Sequence, residues 1–326
     1  MDAPLPPIYF GPVTSLPSWY WVGKDVAEFI ARTHEVRYFS TVDDIPECGL
    51  VFWIKCPPVL RDAERIVKKN LTLVFFPVDA FMSESEIESQ RIFVEHARFI
   101  CLHAQSLKRF FDPERTILID HFNKYGLPLN ERVSDGKTLL WIGGFQYIPY
   151  VLSGLQTISW RRENITLLTD LDSGAGRAAA ERNGRKVGLY DPIRALAGCG
   201  VNTVRWSEVA QRLLLRSCKA AFDIKFLDCF NQYHKPPTKL QKYLASGIPC
   251  AVNTGFPGAD QVHGVLPLQD LTTKTIGHGA DLSMTHIGQA LRRRLDISAI
   301  ASDYLRIAFR AAYSISDISP EQVGVA

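Results

Sequence analysis

Residues 235–253 read Lys-Pro-Pro-Thr-Lys-Leu-Gln-Lys-Tyr-Leu-Ala-Ser-Gly-Ile-Pro-Cys-Ala-Val-Asn, and their pattern is the clearest indication of fold class in the chain. Apolar residues recur at helical spacing over 238–246, and a Gly-Ile-Pro turn then leads into a β-prone apolar run at 250–253. A helix, a tight turn and a short buried strand in that order form the repeating unit of a parallel α/β sheet.

The same alternation of short apolar runs and helical segments extends over most of the chain. We predict strands at 8–10, 36–39, 50–54, 71–76, 99–103, 116–120, 138–142, 165–169, 203–206, 220–224 and 250–253. Residues 122–137 interrupt the pattern because they are rich in Asn, Gly, Pro and charge, so we place an interdomain linker there. The sequence therefore predicts two doubly wound α/β domains, with a ligand site at the carboxyl ends of the strands.

The composition agrees with two ordinary hydrophobic cores. The 326 residues are 46% hydrophobic and 22% charged, and the net charge of +3 is too small for a nucleic-acid-binding surface. The seven cysteines are scattered singly without a Cys-x-x-Cys pair, which favours reduced thiols and gives no sign of a zinc site. No signal sequence or membrane-spanning run is evident, so we expect a cytoplasmic protein.

Residues 235–253 resemble the donor-site helix of GT-B glycosyltransferases, whose pattern is roughly K-x-x-x-K-L-x-E-Y-L-A-A-G-x-P-V-V. The resemblance implies two Rossmann-like domains facing a cleft: an acceptor domain at 1–130, a donor domain at 131–297, and a terminal helix at 298–326 that crosses back to the first domain. It implies metal-independent transfer, with a nucleotide-sugar as co-substrate and no other cofactor. The resemblance allows a saccharide, a lipid-linked molecule or a small molecule as the acceptor. It is also compatible with peripheral contact between the protein and a membrane.

The donor side rests on residues that match the family's motif. Lys235, Thr238 and Lys239 stand at the start of the helix, where free backbone N–H groups and the dipole suit a diphosphate. Gly143 and Gly144 resemble the family's first glycine turn in the second domain, where backbone approaches the donor phosphates. A plain βα turn accounts for the two glycines equally well.

Two departures from the family pattern concern the same site. Lys242 stands where the family usually has a glutamate that accepts hydrogen bonds from the ribose, and lysine has donors only. The family's Arg and Lys after the first strand of the second domain are also missing, because 143–154 contains neither residue type. We expect Lys225, Lys235 and Lys239 to supply that positive charge.

Candidates on the acceptor side follow predicted strands of the first half. Asp79 comes after the apolar run at 71–76 and is the leading catalytic candidate, either as a general base or as a group that orients the acceptor. The alternative is that Asp79 is an exposed loop residue that prepares the next helix. His103 and His121 end two further strands, where either a catalytic or a structural histidine fits. Trp19 either stacks on a sugar face or belongs to the core.

Three other functions fit parts of the sequence. A GT-B-like binding or partner subunit without activity would explain Lys242 and the missing basic pair. An NAD-dependent oxidoreductase would explain the G-x-G-x-x-A match at 174–179, although Leu171-Asp-Ser173 lies between that match and the strand. An epimerase acting on nucleotide-sugars shares the same fold and would turn over the donor alone.

Overall fold

The chain divides into two compact units, one of residues 1–122 with 296–326 and one of residues 123–295. The computed structural model describes residues 5–133, 136–170, 196, 198–272 and 279–313, and among these it omits the side chains of 279–283. The glycine motif at 174–179 lies outside the described residues.

The first unit is built on a six-stranded parallel sheet with the order β2-β1-β3-β4-β5-β6. Its strands are β1 (Ile8–Gly11), β2 (Val36–Tyr38), β3 (Cys48–Ile54), β4 (Asn70–Phe76), β5 (Phe99–Leu102) and β6 (Thr116–Leu118). The α-helices between them are Asp25–Ile30, Leu60–Val67, Glu84–Ser89 and Arg91–His96, and Trp19–Lys24 forms a π-helical turn. All six strands predicted for this half are present.

The terminal helix Ile297–Ala312 belongs to this first unit. Tyr304 stacks on Phe76 with ring centroids 4.7 Å apart, and its hydroxyl donates to the carbonyl of Val22 at 3.0 Å. Asp296 begins the helix, since its carboxylate accepts from the backbone N–H of Ser298 at 2.9 Å. The helix therefore covers the core of the unit that contains the start of the chain.

The second unit has its own six-stranded parallel sheet, with the order β12-β11-β10-β7-β8-β9. Its strands are β7 (Thr138–Ile142), β8 (Ile165–Thr169), β9 (Asn202–Arg205), β10 (Cys218–Asp223), β11 (Cys250–Val252) and β12 (Val265–Pro267). Its helices include Ile148–Gly154, Glu208–Ser217, Phe230–Tyr233, Thr238–Ala245 and Gly279–Arg294. Separate apolar clusters pack on the two faces of this sheet, as in a doubly wound fold. The sequence did not predict β12, which has only three residues and ends in proline.

Residues 123–130, which the sequence placed with the first domain, pack with the second unit. Asn123 donates its backbone N–H to the carbonyl of Leu295 at 2.8 Å, and Leu127 donates to Ser246 Oγ at 2.9 Å. The segment lacks an apolar period because it runs as a loop over the second core, so composition alone could not assign it.

Candidate functional site

A buried ion cluster lies at the carboxyl edge of the second sheet. Asp223 is the last residue of β10 and is 1% exposed. Its carboxylate lies 2.8 Å from Lys225 Nζ and 3.0 Å from Lys239 Nζ, the latter on the helix Thr238–Ala245. Burial alone would raise the pKa of Asp223, but the two ammonium groups outweigh it and hold the pKa at about 2. We call Asp223, Lys225, Lys235 and Lys239 the lysine cluster.

Aromatic rings support the lysines of this cluster. Lys239 Nζ lies 4.9 Å from the centroid of Trp141 and 5.9 Å from that of Tyr147. Lys235 Nζ lies 5.3 Å from the same Tyr147 ring and 3.4 Å from its hydroxyl. Ring faces attract ammonium groups, so they help to hold two like charges near each other. The structure thus brings together the three lysines that the sequence nominated.

Gly143 leaves room for the ammonium group of Lys239. A Cβ atom at position 143 would come within 2.3 Å of the Trp141 ring and 3.0 Å of Lys239 Nζ. The amide of Gly143 is engaged, because it donates to the carbonyl of Leu168 at 3.1 Å. Gly144 lies against the side chain of Gln146, where an added Cβ would meet Oε1 at 2.5 Å. At Gly143 the turn therefore contributes space rather than a hydrogen-bond donor.

The start of the helix Thr238–Ala245 is adjacent to the lysine cluster, because Lys239 lies in its first turn. Pro237 is the N-cap, and no described side chain caps this end. First-turn N–H groups have no partner inside a helix and carry the positive end of its dipole. Thr238 is half-buried at this end, and the anion site that the sequence places here stays a prediction.

Lys242 lies one turn further along the same helix and is half-buried. Its ammonium is 5.9 Å from the centroid of Tyr125, a residue of the 123–130 loop. Burial, followed by the charge of Lys239, lowers the pKa of Lys242 to about 8. The position that carries a glutamate in the family is therefore a further cation in this chain, beside the lysine cluster.

Sequence reasoning missed Asp223 because it fell inside the predicted strand 220–224. A charged residue at the end of an otherwise buried parallel strand is the signal that could have found it. Tyr147 was also missed, since an aromatic in an apolar helix is usually a core residue. Its hydroxyl receives a hydrogen bond from Gln232 Nε2 at 3.3 Å, so it has a polar environment.

In the first unit, Asp79 follows β4 with an unusual backbone. Its φ of 47° lies in the left-handed region, and Lys55, which follows the adjacent strand β3, has φ 75°. Lys55 Nζ donates to the carbonyl of Val78 at 3.4 Å, which links the two loops. Such conformations cost free energy in residues other than glycine and cluster at functional sites.

His103 and His121 lie side by side after β5 and β6 at the same edge of the first sheet. Their ring centroids are 3.9 Å apart, and each residue is 8% exposed. His103 Nδ1 donates to the carbonyl of Ile119 at 2.9 Å. Burial, and next the positive charge of a protonated His121, hold the pKa of His103 well below its usual value. Burial lowers the pKa of His121 to about 3. Both rings are therefore neutral at physiological pH.

Trp19 is 2% exposed and belongs to the core of the first unit. Its ring packs edge-on against Tyr38 with a centroid distance of 6.2 Å. The structure thus favours packing over sugar stacking for this residue.

Acidification from pH 7 to pH 5 should lower the stability of the protein. A histidine whose pKa falls on folding stabilises the fold above its unfolded pKa of 6.5 and loses that contribution as pH falls towards the folded value. His121 should account for about 2 kcal/mol of unfolding free energy over this interval. Urea unfolding curves at pH 7, 6 and 5 measure the effect.

The variant His121→Asn should flatten this pH dependence, whereas the same change at the exposed His263 should leave it unaltered. A wild-type stability that stays constant between pH 7 and pH 5 would show that the histidine pair is not held neutral by burial.

Two further observations concern metals and membranes. Among the side chains described, no group of three or more His, Cys, Asp or Glu residues could hold a metal ion. Within the described ranges, no helix combines the length and apolar character needed to cross a membrane.

Comparison with known proteins identifies the fold. No protein-family profile and no curated protein sequence matches the chain. Trehalose-6-phosphate synthase from Burkholderia multivorans superposes with a TM-score of 0.58 at 8% identity, covering 84% of this chain and 72% of the synthase. HepE from Anabaena, solved with UDP, superposes with a TM-score of 0.58 at 12% identity. The alignment covers 92% of this chain and 98% of HepE. The UDP-forming trehalose-phosphate synthase from Burkholderia xenovorans, solved with glucose-6-phosphate, superposes with a TM-score of 0.54 at 10% identity. The alignment covers 87% of this chain and 76% of that synthase.

These similar structures are GT-B glycosyltransferases, and at such low identity they establish the fold and not the activity. The chain has the GT-B fold, with two parallel-sheet Rossmann-like domains of six strands each.

Proposed function

We propose that the protein is a glycosyltransferase that moves a sugar from a nucleoside-diphosphate-sugar to an acceptor hydroxyl without a metal ion. The lysine cluster at the carboxyl edge of the second sheet is the observation that carries this proposal. It consists of three lysines and one aspartate, so its formal charge is +2.

Lys225 and Lys239 share the single carboxylate of Asp223, and such an excess of positive charge in a mostly buried cluster favours an anionic ligand, because charge is costly to remove from water. Lys225 is 6% exposed, and the Lys239 side chain is 26% exposed. The adjacent helix start adds backbone donors and the positive end of a dipole, which suit phosphate oxygens. A diphosphate combines the required charge with a size that can reach both the helix start and the ammonium groups.

Two of the similar structures support this choice of ligand. HepE was solved with UDP, and the second synthase is UDP-forming and was solved with glucose-6-phosphate. These ligands are a nucleoside diphosphate and a phosphorylated sugar. Both are consistent with a donor site in the second unit of this chain and a sugar acceptor.

In the proposed reaction, the acceptor oxygen bonds to the anomeric carbon as the bond from that carbon to the diphosphate oxygen breaks. Asp79 takes the proton of the acceptor hydroxyl, and the bonding electrons leave with the diphosphate. The lysine cluster stabilises the charge that develops on the leaving group. Preorganised ammonium groups can supply the charge that a metal ion provides in other transferases.

One nucleoside diphosphate should raise the melting temperature of the protein in a buffer that contains EDTA. A ligand present at a hundred times its Kd adds about 2.7 kcal/mol to the unfolding free energy, which a thermal-shift curve resolves. The panel is UDP, GDP, ADP, dTDP and CMP, with NAD as the control. Release of that nucleotide from its sugar conjugate, in the presence of a mixed acceptor panel, then measures transfer.

Each other outcome selects a different function. A shift with NAD alone would support the oxidoreductase, and turnover of the donor without an acceptor would support the epimerase. Nucleotide binding with no turnover would support the inactive GT-B-like partner subunit. A requirement for a divalent cation would overturn metal-independent transfer.

A further inference from the structure

The side chain of Asn253 extends the hydrogen bonding of the second sheet beyond its last strand pair. The strands β10 and β11 run in parallel until Asp223 lies opposite Val252. One residue further on, the Asn253 amide takes the place of a strand backbone. Its Oδ1 accepts the backbone N–H of Lys225 at 2.7 Å, and its Nδ2 donates to the carbonyl of Lys225 at 3.1 Å. One side chain therefore binds both backbone polar groups of Lys225.

Lys225 is also held at its ammonium group. Its Nζ lies 5.2 Å from the centroid of the Phe256 ring and 2.8 Å from the carboxylate of Asp223. The Phe256 ring is buried against Gly258, where an added Cβ would come within 2.4 Å of the ring atom Cζ. The segment 253–258, which follows β11, therefore contacts Lys225 both at its backbone and at the end of its side chain.

The position of Lys225 affects the whole lysine cluster because Lys225 and Lys239 share one carboxylate. Lys225 contacts Oδ2 of Asp223, and Lys239 contacts Oδ1. Lys225 itself lies beyond the end of β10, in the loop that follows the strand. A shift of its backbone would move the ammonium group, and the carboxylate and Lys239 would then have to rearrange. Fixed charges stabilise an anion better than mobile ones, because they need no reorganisation when it binds.

We propose that Asn253 is a positioning residue of the lysine cluster, which fixes Lys225 and, through the shared carboxylate, keeps Lys239 in place to bind the diphosphate. The inference rests on the proposed function, which assigns the diphosphate to this cluster. It extends that function to a residue outside the donor-site pattern, because the pattern covers only residues 235–251. Asn253 acts through Lys225 and is not itself assigned a contact with the ligand.

Binding of inorganic pyrophosphate to the full chain, measured by isothermal titration calorimetry in EDTA, tests this role. Pyrophosphate is the charged part of the donor without its sugar or nucleoside. Asn253→Ala should weaken the affinity by about tenfold, as expected when one or two hydrogen bonds are lost. The matched control is Asn202→Ala, because Asn202 Nδ2 donates to the carbonyl of Glu163 at 2.7 Å but lies at the amino end of β9. The control should bind pyrophosphate normally.

A double-mutant cycle with Lys225 separates positioning from a general loss of structure. Lys225→Met keeps the aliphatic stem and removes the ammonium group, so it should weaken pyrophosphate binding by about thirtyfold. Adding Asn253→Ala to Lys225→Met should cause less than about a twofold further loss, because the residue that Asn253 holds no longer carries a charge. A merely structural asparagine would lower the affinity by the same factor in both backgrounds. If Asn253→Ala does not fold, Asn253→Gln, whose longer side chain misplaces the same amide, replaces it in the cycle.

The possible results distinguish this inference from the proposed sugar transfer. Pyrophosphate binding that depends on Asn253, in a protein that transfers no sugar, would support the positioning role and contradict the transferase. Normal affinity in Asn253→Ala, additive effects in the cycle or equal losses in Asn253→Ala and Asn202→Ala would overturn the positioning role. So would a wild type that does not bind pyrophosphate. In each of these cases the release of nucleotide from the donor still decides whether the protein transfers sugar.

Discussion

Replacing Lys239 by alanine should weaken binding of the nucleoside diphosphate by about thirtyfold, or about 2 kcal/mol, as expected when a hydrogen bond between charged groups is lost. Lys239 Nζ lies 3.0 Å from Asp223 and belongs to the first turn of the helix Thr238–Ala245. Its removal takes away an ammonium group beside the helix start and leaves Lys225 alone with the buried carboxylate. Isothermal titration calorimetry with the nucleotide found by the thermal-shift screen measures the change.

Loss of Lys239 also affects folding, because Asp223 is 1% exposed and loses one of its two cations. In the double variant Lys239→Ala/Asp223→Asn, Lys225 alone keeps its charge, so the summed charge of the three positions is +1, as in the wild type, and a loss of affinity reports the position of Lys239 rather than the charge. Lys219, at the opposite end of β10, provides a matched control whose replacement by alanine should leave affinity unchanged. If nucleotide affinity persists in both Lys239 variants, the ion cluster is structural and the donor binds elsewhere.

Replacing Asp79 by asparagine should lower kcat by about a hundredfold to ten-thousandfold, the range expected when a general base is lost. Asparagine keeps the shape of the side chain and tolerates the left-handed backbone, with φ 47° at this position. Its amide cannot accept the proton of the acceptor hydroxyl. The affinity for the nucleoside diphosphate should be unchanged, because that ligand is assigned to the second unit.

Initial rates of transfer and nucleotide titrations of the same preparation test this expectation. Asp43→Asn is the control, since the Asp43 side chain is 74% exposed. Asp43 also precedes the amino end of β3, at the opposite edge of the sheet from Asp79. A fall in nucleotide affinity equal to the fall in rate would point to misfolding or donor binding, and an unchanged rate would exclude Asp79 as the base.

The fold could be predicted from the sequence because most strands are buried on both faces and appear as short apolar runs between helical segments. Eleven of the twelve strands observed in the described residues were expected. The exception, Val265–Pro267, is an edge strand too short to give a pattern. The loop at 123–130 was assigned to the wrong unit because its contacts with Ser246 and Leu295 are long-range.

The candidate site was predictable where motif residues lie close together in the sequence. Lys235, Thr238 and Lys239 lie within five positions of one another. Thr238 and Lys239 begin the helix, and Lys235 lies in the segment that leads into it. Asp223 was not predictable as their partner because it is sixteen residues away from Lys239, and the contact depends on how the helix Thr238–Ala245 packs beside the end of β10. The stacking of His103 on His121 likewise arises from the pairing of β5 with β6.

The close approach of Gly143 to Lys239 also bears on how this protein can evolve. A side chain at 143 would have to displace the Trp141 ring and would also crowd the ammonium group of Lys239, so position 143 cannot accept a larger residue while both of these side chains keep their places. The two positions are 96 residues apart in the sequence, yet the residue at 239 limits which residues fit at 143. A descendant that lost the lysine alone would still need glycine at 143, because the Trp141 ring would still fill the space, and a larger residue there would require the tryptophan to move or change as well.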